Sequence, residues 1–434
     1  MLTATTQRYG GNSKLLKPVC GSSSYAIDPR RRKRDQRAPP VAFIHLCRPP
    51  LVALCMVGID CIMFPKTKSV INFGPGPAKI PEPVLEQIQR ELHEYQDSGI
   101  SILEISHRSA EFDNLLHKTE HNLRELAGIP HSHHVLFLQG GGTGQFSAVP
   151  LNLARGEHSS ADYLVTGDWS KKAATEAAKY LQVHKVFDVN QKFTRIPDPS
   201  EWTLTEDASY VYYCANETIH GVEFNYTPDS HGKPLVADIS SNALSRPIDV
   251  AKHGVIFAGT QKNLGTAGMA LVIVREDLIG HAKKSCPSIF DYREQSKMKS
   301  VYNTPPVFCI YVTNLILEWL KGLGGLDEMA KINQRKASMI YDVIDQSNHF
   351  YFCPVELACR SRMNIPFRIG SEHGVEALEK AFVTSAEREG LVSLKGHRSV
   401  GGIRASLFNA VTLQETQKLA EFMKDFYDKN AKSD

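Results

Sequence analysis

Apolar residues recur with different periods along this 434-residue chain. Val84, Leu85, Ile88, Leu92 and Tyr95 fall three or four apart, which predicts an amphipathic helix from Pro81, a residue tolerated in a first helical turn. Phe112, Leu115, Leu116, Leu123 and Leu126 predict a second helix over 112–126. Seven short runs follow: Val135–Leu138, Tyr163–Thr166, His184–Val189, Tyr210–Cys214, Pro234–Asp238, Val255–Ala258 and Ala270–Val274. They are β-branched or aromatic, apolar almost throughout, and separated by helix-forming stretches such as Ser170–Leu181. Strands buried on both faces have this character, so the pattern predicts an α/β fold with a mostly parallel seven-stranded sheet. From Gly322 onward longer helices, Gly325–Gln346 and Gly374–Glu389, accompany a strand pair near Met363–Ile369 and Gly401–Leu407, which predicts a smaller α/β domain.

With 42% hydrophobic and 22% charged residues, the chain has the profile of a globular protein larger than one ordinary domain. The predicted plan is a basic extension over 1–62, a large domain over 78–324, and a small domain assembled from 63–77 and 325–434. Charge is unevenly spread. Residues 1–70 hold twelve Lys/Arg against Asp28, Asp35 and Asp60, a net of +9, so a chain of total +3 carries −6 on its other 364 residues. The run Arg30–Arg31–Arg32–Lys33–Arg34 lacks interleaved aromatics, so a solvated, disordered arm is expected rather than a nucleic-acid surface. Leu51–Phe64 is apolar but only fourteen residues long and interrupted by Asp60, too short to span a bilayer. Residues 1–62 read either as an organelle presequence or as a segment absent from a working protein that starts at Met63; the second reading is favoured, with a cytoplasmic location. Nine cysteines without a CxxC pair suggest neither a disulfide framework nor a zinc site, so a reducing compartment and no metal are expected.

The candidate chemistry lies at strand ends. Leu235–Val236–Ala237 closes on Asp238, and Val255–Ile256–Phe257–Ala258 is followed by Lys262. Pyridoxal phosphate chemistry needs an amine to form a Schiff base and a carboxylate to keep the pyridine nitrogen protonated. Either residue alone would more often be a turn cap or a solvated lysine. As a pair after apolar strands, with Gly259, Gly265 and Gly268 allowing close backbone approach, they favour the cofactor. The turn from Gln139 through Gly140, Gly141, Gly142 and Thr143 opens a helix and presents unpaired N–H groups suited to a phosphate, yet it is neither a Walker loop nor a GxGxxG. Trp169, after Tyr163–Asp168, either stacks on a pyridine ring or belongs to the core; Thr218 either bonds a cofactor oxygen or caps a turn. His107–Arg108, and His397, Arg398 and Arg404 within GHRSVGGIRAS, occupy Gly/Ser-flanked turns. Arginines converging on one site imply a substrate with two anionic ends.

From about Ser69 to the end, NFGPGPAKIP, ISILEISHRSAEF, LQGGGTGQFSAVPLN, YCANETIHGVEF, AGTQKNLGTAG, YNTPP, MNIPFRI and GHRSVGGIRAS together resemble the phosphoserine aminotransferases, class V members of the fold type I pyridoxal-phosphate transferases. The resemblance implies that Lys262 forms the Schiff base and acts as general base, Asp238 pairs with the pyridine nitrogen, Trp169 stacks on the ring and Thr218 bonds its phenolic oxygen. Gly142, Thr143 and Gln261 would hold the cofactor phosphate, with Asn303 and Thr304 reaching in from the second subunit of a homodimer with shared active sites. An arginine can stand at position 143 in that family, so Thr143 would rely on its N–H or hydroxyl. Arg404 would take the substrate α-carboxylate. His107, Arg108, His397 and Arg398 would receive the distal phosphate of 3-phosphohydroxypyruvate or the side-chain carboxylate of L-glutamate. The implied reaction is reversible amino transfer between these substrates to give O-phospho-L-serine and 2-oxoglutarate, with 3-hydroxy-2-oxo-4-phosphonooxybutanoate as a side substrate. The alternative is a class V enzyme of serine, alanine or glyoxylate, which would leave the distal histidines and arginines without a purpose. Neither nucleic acid nor a membrane is expected as a partner.

Overall fold

The computed structural model describes residues 70–156, 158–188 and 192–431. The expectations for residues 1–62 lie outside the described residues, as does Val189 at the end of one predicted strand.

The chain begins with a short strand, β1 (Ile71–Asn72), and two helices, α1 (Glu82–Glu91) and α2 (Ala110–Ala127). Strands and helices then alternate: β2 (His133–Gln139), α3 (Gly141–Leu153), β3 (Ser160–Leu164), α4 (Asp168–Ala177) and β4 (Gln182–Lys185). After β5 (Ala208–Cys214) comes the small hairpin of β6 (Asn216–Glu217) and β7 (Val222–Glu223), followed by β8 (Leu235–Asp238), β9 (Val255–Gly259) and β10 (Met269–Arg275). Helices α5 (Tyr292–Lys297), α6 (Val307–Gly322) and α7 (Gly325–Asp345) lead to β11 (Tyr351–Phe352) and β12 (Asn364–Ile369). The chain ends with α8 (Glu376–Arg388), β13 (Leu391–Val392), β14 (Ile403–Ser406) and α9 (Leu413–Asn430).

Each of the seven predicted runs overlaps a strand of one seven-stranded sheet, in the order β2-β10-β9-β8-β5-β3-β4, with β3 and β4 starting earlier than predicted, at Ser160 and Gln182. Only β10 runs against its neighbours, β2 and β9; the remaining pairs are parallel. Successive strand residues feed different cores. Leu136, Tyr212, Val236 and Phe257 pack with α3 and α4, while Val135, Phe137, Tyr213, Ala237 and Ile256 join the layer that contains α2 and α6. Both faces are covered, so alternation is hidden within a run of apolar residues. A third core joins Ile71 and Phe73 to Phe367, Phe382, Leu419 and Phe426, and β1 pairs parallel with β13. Helix α7 links the layers: Leu326 and Met329 face the core that contains α2 and α6, and Ala337, Ile340 and Ile344 the third.

Three elements depart from the expected pattern. Helix α1 stops at Glu91, and Tyr95 is buried from a turn in which Gln96 and Asp97 have positive φ. Helix α6 is buried at Ile310, Tyr311, Val312, Ile316 and Leu317, and its polar Asn314, Glu318 and Lys321 pair with Asn122, Lys118 and Glu125 of α2, so a broad polar face that would betray a helical period is missing. Helix α9 lies beyond the predicted elements; it opens on a capping box, in which the Thr412 hydroxyl accepts from the Glu415 amide and the Glu415 carboxylate accepts from the Thr412 amide.

Candidate active site

The carboxyl ends of the parallel strands, where open α/β sheets place their ligands, border a cavity of about 280 Å³. Gly142, Thr143, Trp169, Thr218, Asp238, Gln261, Lys262, His397 and Arg404 all line it. Pro75, Gly76, Phe146, Cys214, Asn216, Ile219, Ser240 and Ser241 complete the wall.

Lys262 reaches this cavity from the turn after β9 and is buried, with its Nζ donating to Thr218 Oγ1 at 2.8 Å. Among the described residues no carboxylate lies within ion-pair distance of it. Burial pushes the amine down to about 8, and the Arg404 charge acts in the same direction while Asp238 opposes it. A lysine poised there carries an appreciable fraction of free base near neutrality, as a nucleophile or general base requires. Asp238 ends β8, buried, with Oδ1 accepting from the Ser240 amide (2.9 Å) and hydroxyl (2.6 Å). Burial raises its pKa, and the Ser240 hydrogen bonds and Lys262 work against that rise. The Trp169 indole borders the same space, its centroid 5.8 Å from Lys262 Nζ, and Lys172 Nζ lies 4.3 Å from the centroid.

The anion cradle is backbone. Gly140, at φ +96°, turns the chain from β2 into α3, whose N-terminus has no side-chain cap. The amides of Gly141, Gly142 and Thr143 are therefore left without partners inside the helix. The turn can sit this close to the strands because Gly259 has no side chain: a Cβ there would lie 3.1 Å from the Gly142 nitrogen and 2.8 Å from Gln261 Oε1. Ser240 Oγ donates to Asp238 and accepts from the Gly259 amide at 2.9 Å, locking the acid to the cradle. An amine, a hydrogen-bonded acid, a flat aromatic wall and a ring of free amides fit pyridoxal phosphate.

Arg404, on β14, is buried at the cavity wall; its Nη1 donates to the Thr218 carbonyl at 3.3 Å and its Nε has no partner among the described residues. Burial pushes the guanidinium down to about 10, since a buried cation with few hydrogen bonds is costly. His397 shares the cavity and its Nδ1 lies 2.7 Å from Ser399 Oγ, which donates to Asp168 Oδ2 at 3.2 Å. Burial and then Arg404 lower the His397 pKa. The other expected residues do not line this cavity within one chain. Arg398 and Arg108 are exposed and His107 half-buried. Asn303 Nδ2 donates to Gln139 Oε1 (3.1 Å), and Gln139 Nε2 to the Thr304 carbonyl (2.8 Å), which ties this pair to the end of β2.

Sequence reasoning passed over several wall residues. Ser240 and Ser241 follow Asp238 directly, and proximity to the acid was the available signal. Glu217, which does not line the cavity, stood within the motif that yielded Thr218; desolvation pushes its buried carboxyl up to about 7 against the opposing hydrogen bonds from Ser170 and Trp169. Among the described residues no group of three or more His, Cys, Asp or Glu is arranged to hold a metal ion.

Residues 70–419 match the family model described as aminotransferase class-V. The phosphoserine aminotransferase of Drosophila melanogaster is 55% identical over 362 residues, covering 83% of this chain and 99% of that protein. The protein named phosphoserine aminotransferase 1, chloroplastic, of Arabidopsis thaliana is 44% identical over 431 residues, covering 95% of this chain and 98% of the relative. The solved structure of a PLP-bound phosphoserine aminotransferase from Trichomonas vaginalis superposes with a TM-score of 0.79 at 41% identity, over 82% of this chain and all of that one.

Proposed function

The chain belongs to the class V aminotransferases, and from that premise we propose that it catalyses phosphoserine transamination: L-glutamate and 3-phosphohydroxypyruvate give 2-oxoglutarate and O-phospho-L-serine, reversibly. Pyridoxal phosphate is the cofactor. The observation that carries the reading is one cavity holding a buried lysine, a buried acid and a buried arginine, with no carboxylate paired to the lysine and no partner for the arginine Nε among the described residues.

When bound, pyridoxal phosphate supplies an electron sink that makes the substrate Cα–H acidic. Lys262, through Nζ, is both the attachment point and the base that takes this proton and later returns one. Asp238, whose ionised form the Ser240 hydrogen bonds favour, would face the ring nitrogen; Trp169 would cover the ring and Thr218 its phenolic oxygen. The amides of Gly142 and Thr143, with Gln261, would hold the phosphate. Arg404 takes the α-carboxylate common to both amino acids, and His397 and Arg398 the distal anion. An imidazole can gain or release a proton as the arriving anion is a phosphate or a carboxylate.

His107, Arg108, Asn303 and Thr304 serve, in this reading, the cavity of a second copy. Support comes from the company they keep: Ile100 and Leu103 are 44% and 63% exposed just before His107, and Met298 and Tyr302 are 44% and 42% exposed beside Asn303. Large apolar residues exposed next to polar groups without a pocket mark a surface that a partner covers. The partition into a large domain (78–324) and a small one (63–77 with 325–434) belongs to the same proposal, as do a cytoplasmic location, or an organellar one if 1–62 is a presequence, and the side reaction on 3-hydroxy-2-oxo-4-phosphonooxybutanoate.

The test is a half-reaction followed by absorbance. Glutamate alone should bleach the visible band of the bound cofactor and release 2-oxoglutarate, and Lys262→Ala should do neither in turnover. Amination of hydroxypyruvate as fast as of its phosphate would exclude the phosphoserine reading. Equal mixing of Lys262→Ala and Arg108→Ala proteins should restore activity only if sites are shared between copies.

A further inference from the structure

Glu217 immediately precedes Thr218, and its side chain is fully buried beside the cofactor cavity. Its Oε2 accepts from the Trp169 amide at 3.0 Å, and its Oε1 accepts from the Ser170 amide at 2.8 Å and the Ser170 hydroxyl at 2.5 Å. These amides belong to the first turn of α4, where an N-cap side chain ordinarily supplies the acceptor. The N-cap residue here is Gly167, which has none. The acceptor comes instead from a residue 47 positions away in the chain, and in its ionised form it also complements the positive end of the helix.

Space for this carboxyl is made by Gly167. Its φ of −179° is extended backbone open to any residue, but a Cβ on it would stand 2.3 Å from Glu217 Cδ. Ser170 Oγ meanwhile accepts from the Thr166 amide at 3.0 Å and the Gly167 amide at 3.1 Å. The passage from β3 into α4 is thus wrapped around one carboxylate. Trp169 sits in the middle of it, and its Nε1 has no hydrogen-bond partner among the described residues. Its indole takes its direction from the clamped main chain and from packing.

We propose that Glu217 is a positioning residue for amino transfer, its carboxylate pinning the Trp169 amide and thereby setting the plane of the indole that faces the cofactor. The inference rests on the reading of Lys262 and Trp169 as the cofactor site. The geometry distinguishes the acid from its amide. With the Glu217→Gln oxygen kept by the two Ser170 donors, its NH2 meets the Trp169 N–H, donor against donor, so the substitution frees Trp169 and leaves Ser170 held.

The experiment uses cofactor-loaded wild type, Glu217→Gln, Trp169→Phe and the double variant, with two readouts: the circular dichroism of the cofactor's visible band, which senses the asymmetry of its surroundings, and the kinetics with glutamate. Glu217→Gln should change the band in the same sense as Trp169→Phe and lower kcat about tenfold, with KM for glutamate within about twofold of wild type. The double variant should be little slower than Trp169→Phe alone, because the two residues act as a unit. A Glu217→Gln protein with wild-type band and kcat, or losses that multiply fully in the double variant, would overturn the inference. If Glu217→Gln does not fold, Gly167→Ala, whose Cβ displaces the same carboxyl, decides by the same band and rates. A wild type lacking both the cofactor band and amino transfer would remove the underlying reading and this inference with it; an active wild type matched by Glu217→Gln removes the inference alone.

Discussion

Replacing Arg404 by methionine should make the protein more stable and nearly useless as a catalyst. In the free chain this guanidinium is buried, has one long hydrogen bond to the Thr218 carbonyl at 3.3 Å, and leaves its Nε unpaired among the described residues. Burial depresses it to about 10. At about 1.4 kcal/mol per pKa unit, the depression from the normal arginine range amounts to about 3 kcal/mol of instability. The sign follows from linkage: a base whose folded pKa is lowered weakens the fold wherever it is protonated in both states, so the penalty is present throughout neutral pH and fades only as pH rises through about 10. Methionine keeps the apolar stem and removes the charge, at the cost of about 1 kcal/mol for the weak hydrogen bond. Without substrate, the thermal midpoint should therefore rise by a few degrees. With substrate, the contact to the α-carboxylate proposed for Arg404 would be lost, which should lower kcat/KM about a hundred- to a thousandfold. The loss should be equal for glutamate and phosphoserine, since both carry that carboxylate. A variant less stable than wild type, or a loss confined to the phosphorylated substrate, would refute this account and assign Arg404 elsewhere.

Two further outcomes are expected. In cofactor-free protein, stopped-flow uptake of pyridoxal phosphate should accelerate with pH and level off above about 8, where Lys262 becomes the free base, rather than near the normal lysine value; in Arg404→Met the midpoint should move upward, because one of the charges that depresses it is gone. Gly259→Ala should weaken cofactor binding about tenfold or more at equilibrium dialysis, since its Cβ would press on the Gly142 nitrogen at 3.1 Å and disturb the amides of the cradle; unchanged affinity would mean that the turn takes no part in holding the phosphate.

Strand residues were legible because both faces of the sheet are covered: Val236, Ala237, Ile256 and Phe257 face different cores yet all must be apolar. Asp238 and Lys262 stood out for the complementary reason, as charged groups at the close of one such run and in the turn after another. Helix α6 was illegible because burial around its circumference removes the periodic signal. The direction of β10, the only strand to run against its neighbours in the sheet, was equally hidden, since residues buried on both faces look alike in either orientation.

What the amino-acid sequence determined alone was the kind of sheet, the chemistry at its strand ends and the presence of arginines for an anionic substrate, all set by residue type and short-range spacing. The tertiary structure decided which of those arginines meets Lys262: Arg404 lines the cavity, whereas Arg108 and Arg398 stay exposed in the single chain. It also decided the meaning of charged residues that spacing would leave to solvent. Lys336 lies wholly inside, donating to the carbonyls of Leu407, Phe408 and Val411, and Glu217 caps a helix that begins far from it in the chain. Such partners are chosen by long-range packing, and a buried charge is tolerable only where that packing delivers its hydrogen bonds.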